Sequence, residues 1–105
     1  MKEAVIIFVL TNSYKEAEEI AKILVEKHLA GAVNIISNVR SIYFWKGKIY
    51  DEREILLLIK TIEDKFETIK EEILKIHSYE VPEISMIKVE KAFEKFLTWL
   101  EDTVT

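Results

Sequence analysis

A chain of 105 residues that is 50% hydrophobic, with two glycines, one proline and no linker-like or low-complexity stretch, reads as one compact domain over residues 1–105, built almost wholly of regular structure. Its formal net charge of -4, with acids and bases interspersed, gives no basic surface for a nucleic-acid backbone. The lack of cysteine removes disulfides, thiolate metal sites and a cysteine nucleophile, and no apolar run is long enough to cross a bilayer.

Residues 4–10 (AVIIFVL) are continuously apolar and rich in β-branched side chains, the pattern of a strand at the middle of a sheet. Ser13, with Glu16 three residues on, has the form of a capping box. A helix follows, because Ala17, Ile20, Ala21, Leu24, Val25 and His28 recur at helical spacing, and Gly31 offers a left-handed cap. From residue 32 to 45 the period changes to two, with Val33, Ile35, Val39, Tyr43 and Trp45 on one parity. Lys46-Gly47 is a two-residue turn in which glycine supplies the positive φ, and residues 48–62 return as the partner strand, ending in the apolar run 55–59.

The arms of this hairpin, roughly 40 Å at 3.3 Å per residue, are too long for a small monomer's sheet. Its outer half carries Ile42, Tyr43, Phe44, Trp45, Ile49 and Tyr50, an aggregation hazard if left bare. The stretch therefore reads as an assembly arm, with Tyr43, Phe44, Trp45, Ile49 and Tyr50 in subunit contact. An ideal register also sets Arg40 opposite Arg53, a like-charge pair that calls for an irregularity or a bridging acid.

Residues 63–76 place Phe66, Ile69, Ile73 and Ile76 on one helical stripe. Pro82 makes residues 77–83 a connection, since the residue before a proline is barred from helical geometry. Residues 84–89 form the last strand, and residues 92–104, with Phe93, Phe96, Leu97 and Leu100 in phase, a terminal helix. The order βαββαβ plus a helix predicts an α+β, ferredoxin-like sandwich with a long central β-hairpin. Two helices cover one face of such a sheet. The first strand and the 55–59 run are apolar on both parities, so the other face needs a partner, most simply copies of the same chain.

The chemistry-bearing motifs are sparse. Two isolated glycines build neither a GxxxxGK[ST] nor a GxGxxG phosphate cradle, and no Gly-x-Ser-x-Gly elbow exists, so the chain does not read as an enzyme. His28 reads as a charge or packing residue at a helix end. His77 opens the loop that also holds Tyr79, Glu80 and Glu83, so it is either a helix cap or a ligand or metal contact. In the Asp51-Glu52-Arg53-Glu54 run, neighbouring residues face opposite sides, which favours a charge cluster over paired catalytic acids.

The segments SIYFWKGKI and LLLIKT, followed by IHSYEVPEI and FLTWL, resemble the CutA family of divalent-cation-tolerance proteins, nearly end to end. The resemblance implies a ferredoxin-like homotrimer clasped by the hairpin arms, non-enzymatic and cytoplasmic, with a link to copper and other divalent metal ions. It also implies an intersubunit ligand pocket drawing on Trp45, Lys60, His77 and Tyr79. No permanent cofactor is implied beyond a divalent metal ion. Where family members often carry cysteine, this chain has Leu10 and Ala32, and Ser78 stands between His77 and Tyr79 in place of proline. A thiolate copper site is thereby excluded, which leaves His77 with Glu80 as a weak site for harder or borderline ions. An alternative reading is a signalling trimer resembling PII proteins, with Lys60 meeting a small anionic ligand in an intersubunit cleft.

Overall fold

β1 (Ala4–Thr11) lies in the interior of a four-stranded sheet, because both of its faces are apolar and each must be covered. The computed structural model describes residues 2–105. After β1 come α1 (Tyr14–Glu26), β2 (Ala32–Trp45), β3 (Lys48–Ile62), a 3-10 turn over Glu63–Lys65, α2 (Phe66–Ile76), β4 (Ile84–Lys88) and α3 (Glu94–Val104). The strand order is β2-β3-β1-β4 and every pairing is antiparallel, so the ferredoxin-like arrangement expected from the element order is what forms.

The core lies between the sheet and the pair α1 and α2. Val5, Ile7 and Val9 of β1 and Ile55, Leu57 and Ile59 of β3 meet Ala17, Ile20 and Leu24 of α1 and Ile69 and Ile73 of α2, all buried. Burying a side chain of this size stabilises by about 1.5–3 kcal/mol, so this stripe alone outweighs every surface ion pair in the chain. The opposite face carries Ile6, Phe8, Leu10, Leu56 and Leu58, half-buried, with Ile36 and Ile87 exposed. At one end of that face α3 packs on β3 and β1, and Ala4 and Ile62 are buried there with Leu100 and Val104.

Gly31 is needed for this docking. A Cβ on it would lie 2.6 Å from Leu100 Cδ1, so its role is close approach. The left-handed residue that ends α1 is His28, with φ of 57°, and not Gly31. The helix stops earlier because His28, Leu29 and Ala30 turn their amides back onto Val25 and Leu24. The second helix likewise begins late: the Glu63 amide is bonded to Glu3 O at 2.9 Å, which holds that residue to the sheet.

The hairpin turn is as expected, with positive φ at Lys46 (48°) and Gly47 (77°). The strands run without interruption except for a bulge between Ile36 and Val39, where Asn38 takes φ of 64°. The bulge reverses the parity of β2. Val33 and Ile35 face the helices, opposite Ile59 and Leu57, whereas Val39, Tyr43 and Trp45 fall on the other side, opposite Glu54, Tyr50 and Lys48. The single parity expected for all five residues is corrected accordingly. Arg40 does stand opposite Arg53, and the bridging acid comes from the same hairpin: Asp51 accepts from Arg40 Nε at 2.9 Å and Nη2 at 2.6 Å. The arm stretches the molecule to 44 Å against 25 and 22 Å across. Its radius of gyration of 14.3 Å exceeds the ~13 Å of an ordinary domain of this length.

Candidate functional site

The loop after α2 is held by buried polar groups. α2 ends because His77 adopts an extended backbone while its amide still bonds Ile73 O at 2.8 Å. The imidazole, fully covered, sits with Nε2 2.7 Å from the Leu10 carbonyl. A carbonyl only accepts, so Nε2 carries the proton and Nδ1 is left to accept the Tyr79 amide at 3.1 Å. Glu16 supports the same loop. Its Oε1 accepts the Ser78 amide at 3.0 Å, and its Oε2 accepts the Thr11 hydroxyl and lies 3.7 Å from His77 Nδ1. Only half of the expected capping box therefore forms: Ser13 Oγ accepts the Glu16 amide at 3.2 Å, while the Glu16 carboxylate turns to the loop.

Between this loop and the outer hairpin lies a cleft of about 620 Å³, lined by Leu10, Arg40 to Tyr43, Trp45, Glu54, Tyr79 to Val81 and Glu83. The volume suits a small ligand. Tyr79 donates its hydroxyl to Glu54 Oε2 at 2.6 Å, and Glu54 is only 5% exposed. Burial, reinforced by the Glu54 carboxylate, pushes the Tyr79 phenol well above its ordinary range. Tyr43 donates to Glu52 and is raised to about 12, chiefly by that hydrogen bond, and its ring stacks on Tyr50 at 5.3 Å. Both phenols are therefore neutral donors. At the mouth, Lys46 Nζ lies 3.1 Å from Glu80 and 5.4 Å from the centre of the Trp45 ring. The Arg40 bond holds the Asp51 carboxyl below its usual range.

Of the predicted site residues, Tyr43, Trp45, Tyr79 and Glu80 come together around this cleft, and His77 stands behind it as an anchor. Lys60 does not join them within one chain. It pairs with Ile6, four positions along β1 from Leu10, and its ammonium donates to Asn34. Phe44 and Ile49 pair on the opposite face of the arm beside Ile42, where the three are 70%, 70% and 64% exposed. The structure does not assemble His77 and Glu80 as a metal pair: both imidazole nitrogens are engaged, and Glu80 turns to Lys46. No group of three or more His, Asp or Glu side chains converges among the described residues, so the donors present do not fit a closed ion site in a single chain.

Two residues of the site stand in motifs that point elsewhere, Glu54 in a charge run and Glu16 in a capping box. Glu54 is the one acid abutting the 55–59 apolar run on the parity of Leu56 and Leu58, a signal that it would be drawn under cover. Glu16 looked like a capping residue, and nothing local could reveal a partner at Ser78.

Residues 5–103 match the profile of the CutA1 divalent ion tolerance protein family. The chain belongs to the CutA1 family. Among curated CutA1 relatives it is similar to the divalent-cation tolerance protein CutA of Archaeoglobus fulgidus, with 40% identity over 98 residues, 93% of this chain and 95% of that protein. It is also 40% identical to the CutA of Thermus thermophilus over 102 residues, 97% of each chain. A solved A. fulgidus structure, described as a periplasmic divalent cation tolerance protein, superposes with a TM-score of 0.93 at 38% identity, covering 97% of this chain and 99% of that one. Among the described residues, no helix of this CutA1-family chain is long and apolar enough to cross a membrane.

Proposed function

We propose that the chain acts as a non-enzymatic homotrimer in the cytoplasmic response to divalent metal ions, copper among them. Membership of the CutA1 divalent ion tolerance family supports the role. The observation that supports assembly is the arm: Ile42, Phe44 and Ile49 project one apolar face into solvent, and the sheet face around Ile36, Leu56 and Leu58 is also incompletely covered. Both faces are relieved if copies of the chain pack arm against sheet, which adds a second core to a small domain. In that assembly Trp45 and Tyr79 lie near a subunit boundary, and Lys60 approaches such a cleft only from another copy.

Ion binding is weak in this reading. Glu80 and Glu83 at the mouth of the cleft offer oxygen donors, a second copy adds others, and His77 contributes only if its ring leaves Leu10. A small anion, as in a PII-like module, is disfavoured by the charge of Glu54, Glu80 and Glu83 around the cleft. Titration calorimetry with copper, zinc and manganese tests the ion claim. The expected result is weak heat that survives His77→Ala and drops in a Glu80→Gln, Glu83→Gln double variant. No heat with any of the three ions would end the claim that this chain meets the ion directly.

A further inference from the structure

Glu54 is the one buried acid among the described residues. It is 5% exposed, it lines the cleft, and its one hydrogen bond, from the neutral Tyr79 hydroxyl, goes to Oε2. Among the described residues Oε1 receives no bond and no lysine or arginine pairs with this carboxylate, and Oε1 stays within reach of the solvent in the cleft. A carboxylate whose one bond comes from a neutral donor leaves its charge open to a cation that enters the cleft. Arg40 lines the same cleft but is held by two bonds to Asp51, so the hairpin does not supply that cation.

The rest of the lining narrows the kind of cation. Tyr43, Trp45 and Tyr79 present aromatic rings, and Leu10 and Val81 add apolar surface. Glu80 and Glu83 also line the cleft, but no three acid or histidine side chains converge among the described residues, so the cleft lacks the several converging oxygens that a small divalent ion demands. It suits an ammonium group, which gains from a single carboxylate and from ring faces together. Lys46 displays this chemistry at the mouth, with its ammonium 3.1 Å from Glu80 and 5.4 Å from the Trp45 ring centre.

We propose that the cleft binds an organic ammonium ion with an apolar body, its N–H donated to Glu54 Oε1 and its hydrocarbon laid against Leu10, Trp45 and Val81. The amine and the ion proposed above share this cleft but call on different carboxylates, Glu54 against Glu80 and Glu83, so the Glu54→Gln variant and the Glu80→Gln, Glu83→Gln variant distinguish failure of one reading from failure of the other.

The test uses the assembled protein with Trp99→Phe, which leaves Trp45 as the only tryptophan. Its fluorescence is titrated with 2-phenylethylamine, with the neutral isostere 2-phenylethanol, with phenylacetate and with zinc. The amine is expected to saturate the signal, and the alcohol and the anion to bind about tenfold or more weaker, the loss of one charge-assisted hydrogen bond. Glu54→Gln should abolish the preference for amine over alcohol, whereas Lys46→Gln should keep or strengthen it by removing a competing ammonium. Equal binding of amine and alcohol by the parent protein overturns the proposal whether or not the Glu54 variant folds. So does displacement of the amine by equimolar zinc, an amine preference that survives Glu54→Gln, or an assembled protein that takes up no amine because a neighbouring copy fills the cleft.

Discussion

Replacing Tyr79 by phenylalanine tests the bond on which the cleft is built. The hydroxyl donates to Glu54 at 2.6 Å, and Glu54 is 5% exposed, so water replaces the lost donor poorly. Leaving a buried acceptor short of its partner costs about 1–3 kcal/mol, while the phenyl ring keeps its packing against His77, 4.7 Å away between ring centres. In a domain of this size each kcal/mol lowers Tm by about 4–8 °C. Urea and thermal unfolding at one fixed protein concentration measure the difference, since assembly makes apparent stability concentration-dependent.

The pH profile adds a signature that loss of packing would not give. The phenol is raised above its ordinary 10.0 by burial and then by Glu54, so its stabilisation is complete below that pH. As pH climbs past about 10 the unfolded chain releases this proton first and the contribution falls away. Tyr14, Tyr43 and Tyr50 remain in both proteins, so the gap between parent and Tyr79→Phe should narrow above pH 10. A variant as stable as the parent at pH 7, with no change in the gap at alkaline pH, would show that the Tyr79–Glu54 bond does not stabilise the fold.

Gly31→Ala forces a methyl to within 2.6 Å of Leu100 Cδ1 and should cost about 1–3 kcal/mol by displacing α3, read as a shift in Trp99 fluorescence. An unchanged spectrum and unchanged stability would show that α3 gives way freely. Glu16→Ala removes the acceptor of the Ser78 amide and should raise hydrogen exchange at Ser78 and Tyr79 well before α1 is affected, because Ser13 still caps that helix. Equal exchange in both proteins would mean that His77 alone anchors the loop.

The fold was legible wherever a local rule suffices. Lys46-Gly47 demands a tight turn, the 3.6-residue stripes of α1 and α2 demand one covered sheet face, and the both-sided apolarity of β1 demands a central place. The bulge was not legible, since Ser37 and Asn38 are small polar residues compatible with either register, and the parity of the aromatic arm turns on them. Gly31 is ambiguous in the sequence because a glycine near a helix end serves either a left-handed φ or a close neighbour, and the neighbour here is 69 residues away in Leu100. Tyr79 and Trp45 were found at the cleft through the family motif. Their partner Glu54 emerged only once the pairing of β2 with β3 had set the faces.

The claim that most depends on measurement is that the exposed arm is an interface. Light scattering coupled to size exclusion, across a range of protein concentrations, should return three times the chain mass. The Phe44→Ser, Ile49→Ser double variant should shift toward smaller species while keeping the far-ultraviolet circular dichroism of the folded chain, because both side chains lie 70% exposed and outside the core. A parent protein with the mass of one chain, or a double variant as fully trimeric as the parent, would contradict the account.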